Sequence, residues 1–259
     1  MFKEIFSKDN PLIKTIRALK TKSGRKKHGM FFIEGTRIIE EAISFLPDKI
    51  HSIVLSYSYN GTYPNKAKEY AKTFDCFLVP DSLFNEISDT ETPQGVLAVI
   101  RKEDTKISDF SFDESRIVIL DCVCDPGNIG TIIRTAEAMG FNSIFLTKGC
   151  TDIYSPKVLR STMGSVFRTK IFEGLTTEDI NLIKQREYTL ASTALQENSV
   201  FLKNASTPRK LAIVIGNEAN GVSDEILSIS DLILKIPMHG KTESLNAAVA
   251  AAIVMYHFS

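Results

Sequence analysis

The sequence predicts two α/β units, the second built on a mostly parallel sheet with helices on both faces. Three observations predict it. First, Ile117–Leu120, Ser143–Leu146, Val166–Phe172, Thr189–Thr193, Leu211–Ile215 and Leu232–Ile236 read as six strands separated by helix-length segments. Second, several of these runs are apolar without alternation, as strands buried on both faces are. Third, a smaller alternation of strand and helix patterns precedes residue 101, and Arg101–Ser115 then turns polar and loses apolar periodicity. We therefore expect a first domain over 1–105, a linker over 106–115 and a second domain over 116–259.

The chain has 259 residues, 43% hydrophobic and 24% charged, with 31 basic and 31 acidic side chains. The neutral balance does not announce a nucleic-acid partner, so only the distribution of charge can carry that information. No apolar run reaches the roughly 18 residues of a membrane span. The start, MFKEIFSKDNP, lacks the apolar core of a signal peptide, so a cytoplasmic protein is expected. Cys76, Cys122, Cys124 and Cys150 form no C-x-x-C pair and mostly sit in or beside apolar runs, so buried thiols are expected. The histidines at 28, 51, 239 and 257 have no metal-ligand spacing, so no metal site is expected.

In the first domain, Asn10-Pro11 reads as an N-cap followed by Pro at the first helical position, with Leu12, Ile13, Ile16 and Leu19 at helical spacing behind it. A strand over Met30–Ile33, a helix over Thr36–Leu46, and strands over Ile50–Leu55, Cys76–Val79 and Val96–Ile100 follow, with helices over Asn65–Thr73 and Asp81–Ile87. Lys14, Arg17, Lys20, Lys22, Arg25, Lys26 and Lys27 are seven basic residues with no acidic residue between them. A solvated helix face with a frayed end would look the same. A one-signed cluster in a neutral chain points instead to contacts with nucleic-acid phosphates.

In the second domain, the loop Asp121–Gly127 leads to Asn128 as a plausible N-cap. A helix follows with Ile129, Ile132, Ile133, Ala136 and Met139 on its buried face and Gly140 as its stop. Helices are expected over Pro156–Met163 and Glu178–Arg186, and another from about Ser244. Two strands, Leu211–Ile215 and Leu232–Ile236, thus deliver two polar loops, Asn217–Gly221 and His239–Glu243, to one sheet edge. Ligands of open α/β sheets sit outside the carboxyl ends of the strands.

Gly240-Lys241-Thr242 imitates the end of a phosphate-binding loop, but that motif needs a Gly at the position held by Lys235. Gly127-Asn128-Ile129-Gly130 is not a dinucleotide fingerprint either. What remains is a polar cluster assembled from three places: Asn128 with Arg134, the loop Asn217-Glu218-Ala219-Asn220-Gly221, and Ser244-Leu245-Asn246. Taken singly, these are a surface ion pair (Arg134 with Glu137 or Glu218), a turn, and a helix cap.

Three pieces stand in order: Asn128-Ile129-Gly130 with Arg134-Thr135-Ala136, Ile215-Gly216-Asn217-Glu218 with Gly221-Val222, and Ile236-Pro237-Met238 with Ser244-Leu245-Asn246. Together they resemble the three signature motifs of the SpoU/TrmH family of RNA 2′-O-ribose methyltransferases, in the SPOUT superfamily. The likeness covers about Arg116 to Phe258. In the first domain, Asn10-Pro11-Leu12-Ile13-Lys14, Phe32-Ile33-Glu34-Gly35 and Thr92-Pro93-Gln94-Gly95-Val96-Leu97 resemble the SpoU-type RNA substrate-binding domain, most familiar from members acting on large-subunit ribosomal RNA.

The resemblance implies a trefoil knot, a homodimer paired through the C-terminal domains, and S-adenosyl-L-methionine as cofactor. It places the cofactor near Thr193, Gly216, Asn217, Ile236, Met238 and Leu245, and the reacting ribose near Arg134, Asn128, Glu218, Ser244 and Asn246. The implied reaction is methyl transfer to a ribose 2′-hydroxyl, in 23S ribosomal RNA; transfer RNA, and a non-catalytic RNA-binding protein that keeps the fold, are the alternatives. The nearly all-apolar helix Ala247–Met255 suits burial in the domain or at a dimer interface.

Overall fold

The computed structural model describes residues 2–242 and 244–259. The loop residue Glu243 lies outside the described residues. The chain forms two units: one from residues up to Asp104 together with Tyr154–Phe167, the other from Thr105–Ile153 and Arg168–Ser259.

The first unit runs β1 (Lys3–Glu4), α1 (Pro11–Leu19), α2 (Lys22–His28), β2 (Met30–Glu34), α3 (Thr36–Phe45), β3 (Ile50–Ser56), α4 (Tyr57–Thr62), α5 (Pro64–Thr73), β4 (Cys76–Val79), α6 (Asp81–Ile87) and β5 (Val96–Arg101). Its sheet has the order β1-β4-β3-β5-β2, and β5 runs antiparallel to both neighbours. The carboxyl ends of β2 and β3 therefore meet the start of β5 at one edge. Asn10 caps α1 as expected: its Oδ1 accepts from the Leu12 N–H at 2.9 Å. Ile13, Ile16 and Leu19 then enter a core with Phe32, Val54 and Leu97.

The segment read as a frayed end is the helix α2. No apolar period announces it. Its elbow with α1 is fixed by Gly24, where a Cβ would lie 1.9 Å from the Ala18 carbonyl oxygen. The short helices α4 and Asp224–Ile229 also lack a readable apolar period.

The second unit opens with β6 (Arg116–Leu120), α7 (Pro126–Ala138) and β7 (Ser143–Thr147). The chain then contributes α8 (Pro156–Thr162) to the first unit, where the Tyr154 ring packs 4.7 Å from that of Phe31 and Arg160 pairs with Asp89 at 2.8 Å. It returns as β8 (Lys170–Leu175), α9 (Thr177–Gln185), β9 (Thr189–Thr193), β10 (Val200–Phe201), β11 (Leu211–Ile215), α10 (Asp224–Ile229), β12 (Leu232–Lys235) and α11 (Ala247–Phe258). The sheet is parallel throughout, in the order β10-β12-β9-β11-β6-β7-β8.

Several expectations need correcting. The run Val166–Phe172 is not one strand: Ser165–Phe167 is a 3-10 turn, and β8 starts only at Lys170. The two-residue edge strand β10 was not foreseen. The expected linker is not a solvated connector, because Phe110 is 3% exposed and its ring meets Phe145 at 5.1 Å and Phe172 at 5.6 Å. Asn128 is not an N-cap. Asp125 holds that place, its Oδ1 accepting from the Asn128 N–H at 2.8 Å, because Pro126 prefers the first helical position. The last helix begins at Ala247 rather than about Ser244, capped by Asn246, whose Oδ1 accepts from the N–H groups of Ala248 and Val249.

Candidate active site

A cavity of about 640 Å³ lies at the carboxyl ends of β9, β11 and β12, beside the N-terminus of α11. Sites for small ligands typically enclose about 300–1,000 Å³. The strand order reverses between β6 and β11, on one side of the cavity: β7 and β8 extend the sheet to one side of β6, whereas β11, β9 and β12 extend it to the other. Such a switch point is where open α/β sheets hold ligands. Thr193, Gly216, Asn217, Ile236, Met238 and Leu245 all line the cavity, as do Glu218, Ser244 and Asn246.

The loop after β11 is closed on itself. Asn217 and Gly221 exchange two backbone hydrogen bonds of 2.9 Å, and Asn217 Oδ1 accepts from the N–H groups of Ala219 and Asn220. Gly221 takes φ +71°, which glycine adopts without strain. Gly216 cannot carry a side chain, since a Cβ there would lie 2.1 Å from Gly221 C and Val222 N. The Asn217 amide also donates to the Cys122 carbonyl at 2.8 Å, so this side chain is occupied in holding two loops together.

A chain of hydrogen bonds crosses the cavity rim. Glu218 Oε1 accepts from Asn128 Nδ2 at 2.9 Å, and Asn128 Oδ1 accepts from Asn246 Nδ2 at 2.8 Å. The Cys124 and Asp125 N–H groups donate to the same carboxylate at 3.2 and 3.1 Å. Both ends fix the direction of the chain. An ionised carboxylate only accepts, so Asn128 must present its NH₂ to Glu218; the helix N–H groups only donate, so Asn246 must present its oxygen to α11. Partial desolvation pushes the Glu218 carboxyl up, but the hydrogen bond from Asn128 and those from backbone N–H groups outweigh it, leaving its pKa below the ordinary 4.5. Glu218 is thus a fixed anion and a weak base.

Sequence reasoning missed Asp121, which is 3% exposed at the end of β6. Its Oδ1 accepts from the Thr147 hydroxyl and its Oδ2 from the Ser223 N–H, tying the ends of β6 and β7 to the turn entering α10. An acid directly after an apolar strand was the available signal. The expectation of buried thiols also fails at Cys124, which is exposed. No group of three or more His, Cys, Asp and Glu among the described residues is placed to hold a metal.

Arg134 is not part of the hydrogen-bonded chain and does not line the cavity. It is exposed on α7, and the ion pairs weighed for it are not made: Glu137 pairs with Arg168 at 3.0 Å, and Glu218 is held as described. Among the described residues its guanidinium has no partner.

The basic cluster of the first unit divides in two. Lys14 pairs with Asp9 at 2.9 Å and Arg17 with Glu86 at 2.7 Å, while Lys20 donates to the Glu86 and Ser88 carbonyls. Arg25 departs furthest from a phosphate contact. It is 5% exposed, and its guanidinium donates to the Leu19 carbonyl at the end of α1 at 2.7 Å. Lys22, Lys26 and Lys27 are exposed on α2 and have no partner among the described residues.

Comparison with known proteins gives one consistent result. Residues 115–256 match the SpoU rRNA Methylase family and residues 10–98 the MRM3-like substrate binding domain. The chain is 32% identical to the 23S rRNA (guanosine(2553)-2′-O)-methyltransferase RlmP of Bacillus subtilis, over 98% of both chains. It is 27% identical to the human mitochondrial rRNA methyltransferase 3, over 96% of this chain and 71% of that one. Among solved structures, an AdoMet-bound rRNA methyltransferase from Sinorhizobium meliloti superposes with a TM-score of 0.86 at 31% identity, over 99% of this chain and 97% of that one. The SpoU methyltransferase AviRb from Streptomyces viridochromogenes, in complex with AdoMet, gives 0.83 at 26% identity, over 96% of both. With the family match covering residues 115–256, the chain belongs to the SpoU rRNA Methylase family.

Proposed function

We propose that this enzyme methylates a ribose 2′-hydroxyl of 23S ribosomal RNA, with S-adenosyl-L-methionine seated in the cavity of the second unit. The observation that carries the reading is the Glu218–Asn128–Asn246 chain at the rim of a pocket whose floor accepts only glycine at 216. The residues present fit the cofactor. Gly216 lets the Asn217–Gly221 loop fold back at the cavity wall, and Ile236, Met238 and Leu245 offer an apolar slot for adenine. When bound, the sulfonium supplies an electrophilic methyl group.

The protein's part is alignment and charge. Holding two reactants in line supplies roughly 7–11 kcal/mol of the barrier reduction in favourable cases. Asn128, Glu218 and Asn246 are pre-oriented by one another, and Ser244 stands beside them, so the ribose meets groups that need no reorganisation. Arg134 keeps its proton, since guanidinium pKa values exceed about 12. Its unpaired charge suits the RNA phosphate next to the reacting ribose and the negative charge developing on the 2′-oxygen.

Assembly is a homodimer in this reading. Val249, Ile253 and Tyr256 recur at helical spacing on α11 and are 48%, 37% and 73% exposed, an apolar face that a second copy would cover. Sedimentation at twice the 28.8 kDa chain mass is the expected result, and a monomer at micromolar concentration would refute it. The trefoil knot and a cytoplasmic location, where the substrate RNA is found, complete the proposal. No helix among the described residues is long and apolar enough to cross a membrane.

The direct test uses labelled S-adenosyl-L-methionine with 23S ribosomal RNA and transfer RNA offered separately, followed by mapping of the modified ribose. Label in 23S RNA at one 2′-oxygen is expected. Label in transfer RNA alone would overturn the substrate, and label in neither would overturn the activity.

A further inference from the structure

The first unit holds a second cavity, of about 750 Å³, at the edge where the carboxyl ends of β2 and β3 meet the start of β5. Three connections frame it. Gly35, at φ +107°, turns the chain from β2 into α3; Ser56 starts α4; and Gly95, at φ +83°, leads into β5. Gly95 is also packed so closely that a Cβ there would lie 2.4 Å from Ser56 Oγ. Gln94 Oε1 accepts from the Thr36 N–H at 3.0 Å, and Thr36 Oγ1 lies 3.2 Å from Tyr59 Oη, so the walls are cross-tied.

The lining combines three kinds of group in one place. Tyr63 is an aromatic ring 55% exposed, held at 5.1 Å from the buried Tyr59 ring. Arg37 is exposed and has no partner among the described residues, whereas Lys66 is neutralised by Glu40 at 2.6 Å. The Gln94 amide, its oxygen engaged by a donor, is left with its NH₂ directed away from that bond. An open aromatic face, a free guanidinium and an oriented amide donor are what an unpaired nucleotide needs: a surface for the base to stack on, a cation for its phosphate and a donor for the base edge.

We infer that this cavity is a binding site for one unpaired nucleotide of the RNA substrate, apart from the ribose that is methylated. The base stacks on Tyr63, Arg37 takes the adjoining phosphate, and Gln94 donates to the base edge. The inference rests on the RNA methyltransferase reading above. The cavity and the exposed lysines of α2 belong to the same unit, so one module would supply both a nonspecific electrostatic contact and a contact that requires an unpaired base.

The test uses the full-length enzyme, labelled S-adenosyl-L-methionine and a 23S RNA transcript, with Tyr63→Ala and Arg37→Ala. Both residues are exposed, so neither change threatens the core. Loss of one stacking platform weakens binding by about 5- to 150-fold. We expect Tyr63→Ala to raise KM for the transcript within that range, with affinity for S-adenosyl-L-methionine unchanged. Arg37→Ala should lower the log–log salt slope of RNA binding by about 0.7. Photo-crosslinking with 4-thiouridine-substituted transcript should map to the Tyr59–Tyr63 peptide in the wild type and be lost in Tyr63→Ala. If the wild type methylates the transcript and both variants keep its KM and crosslink, the site is refuted while the activity stands. If the variants fail only on assembled ribosomal particles and not on naked RNA, the cavity binds protein and the inference is overturned. A wild type that neither binds nor methylates the transcript overturns both readings.

Discussion

At the strand ends of the second unit, polar side chains engage one another. Glu218 is held by Asn128 and two backbone N–H groups, Asn128 by Asn246, Asn246 by α11, and Asp121 by Thr147 and Ser223. At the surface of the first unit, Lys22, Lys26, Lys27 and Arg37 have no partner among the described residues, and Tyr63 shows more than half its surface. The first arrangement is preorganised: its dipoles are fixed before substrate arrives, which is what lowers a barrier. The second leaves charge free to replace the counterions of a polyanion, which is what raises affinity. Arg134 breaks the pattern, a cation on the helix that carries Asn128 with no partner among the described residues.

That exception is where the comparison can be broken most sharply. Arg134→Ala removes no side-chain hydrogen bond to the described residues, so the fold and the affinity for S-adenosyl-L-methionine are expected to persist in calorimetry. Removing a single donor to a developing oxyanion costs about 10²–10³ in rate, and at least that loss of methyl transfer is expected. Full activity would remove Arg134 from the site and leave the network as its only chemistry.

Glu218→Gln tests whether the network depends on charge. Glutamine keeps the shape but offers an NH₂ where Asn128 and two backbone N–H groups already donate. Hydrogen bonds to charged groups are worth about 1.5–3 kcal/mol each, so a loss of methyl transfer on the order of 10- to 100-fold is expected. Acid adds a second measurement. The Glu218 pKa is lowered in the folded protein from 4.5. Its contribution to stability is therefore present in full above about pH 4.5 and is lost as pH falls through the lower native value. Urea denaturation of the wild type should weaken in that window, and the Glu218→Gln variant should lose less over the same interval. Parallel loss in both proteins would show that the carboxylate is not held as described.

Much of this arrangement was legible in the sequence. The apolar runs that predict β6 and β11 are buried strands because nothing polar interrupts them, and six residues predicted near the cofactor line one cavity. What could not be read was partnership. Nothing local distinguishes Arg25, buried under α1, from Lys26 beside it on an open surface. Asn128 looked like a cap because it opens an apolar period. The cap is Asp125, and that single shift frees the Asn128 side chain for Glu218 and Asn246. Phe110 lay in a polar stretch, and only the tertiary fold shows it wedged against Phe145 and Phe172.

Arg25→Met leaves the buried Leu19 carbonyl without its donor. An unsatisfied buried acceptor costs about 1–3 kcal/mol, so a lower urea midpoint is expected, with the salt dependence of RNA binding unchanged. A changed salt slope at unchanged stability would return Arg25 to the RNA surface.

Replacing Lys22, Lys26 and Lys27 together by alanine should do the reverse. The three are exposed and unpaired among the described residues, so the core is untouched. Lys26 and Lys27 do sit in the last turn of α2, where positive charge favours the helix dipole, so a small loss of stability is expected. The larger signature is electrostatic. Each neutralised phosphate contributes about 0.7–0.9 to the log–log salt slope, so the triple variant should flatten that slope by about 2 while kcat at saturating RNA is maintained. The alanine change at Lys14 and Arg17 is the matching control: both already have acidic partners within the unit, at 2.9 and 2.7 Å, and should move the slope less. If the two sets flatten it equally, internal ion pairs do not withhold charge from RNA, and the division of the cluster into paired and free halves carries no functional meaning.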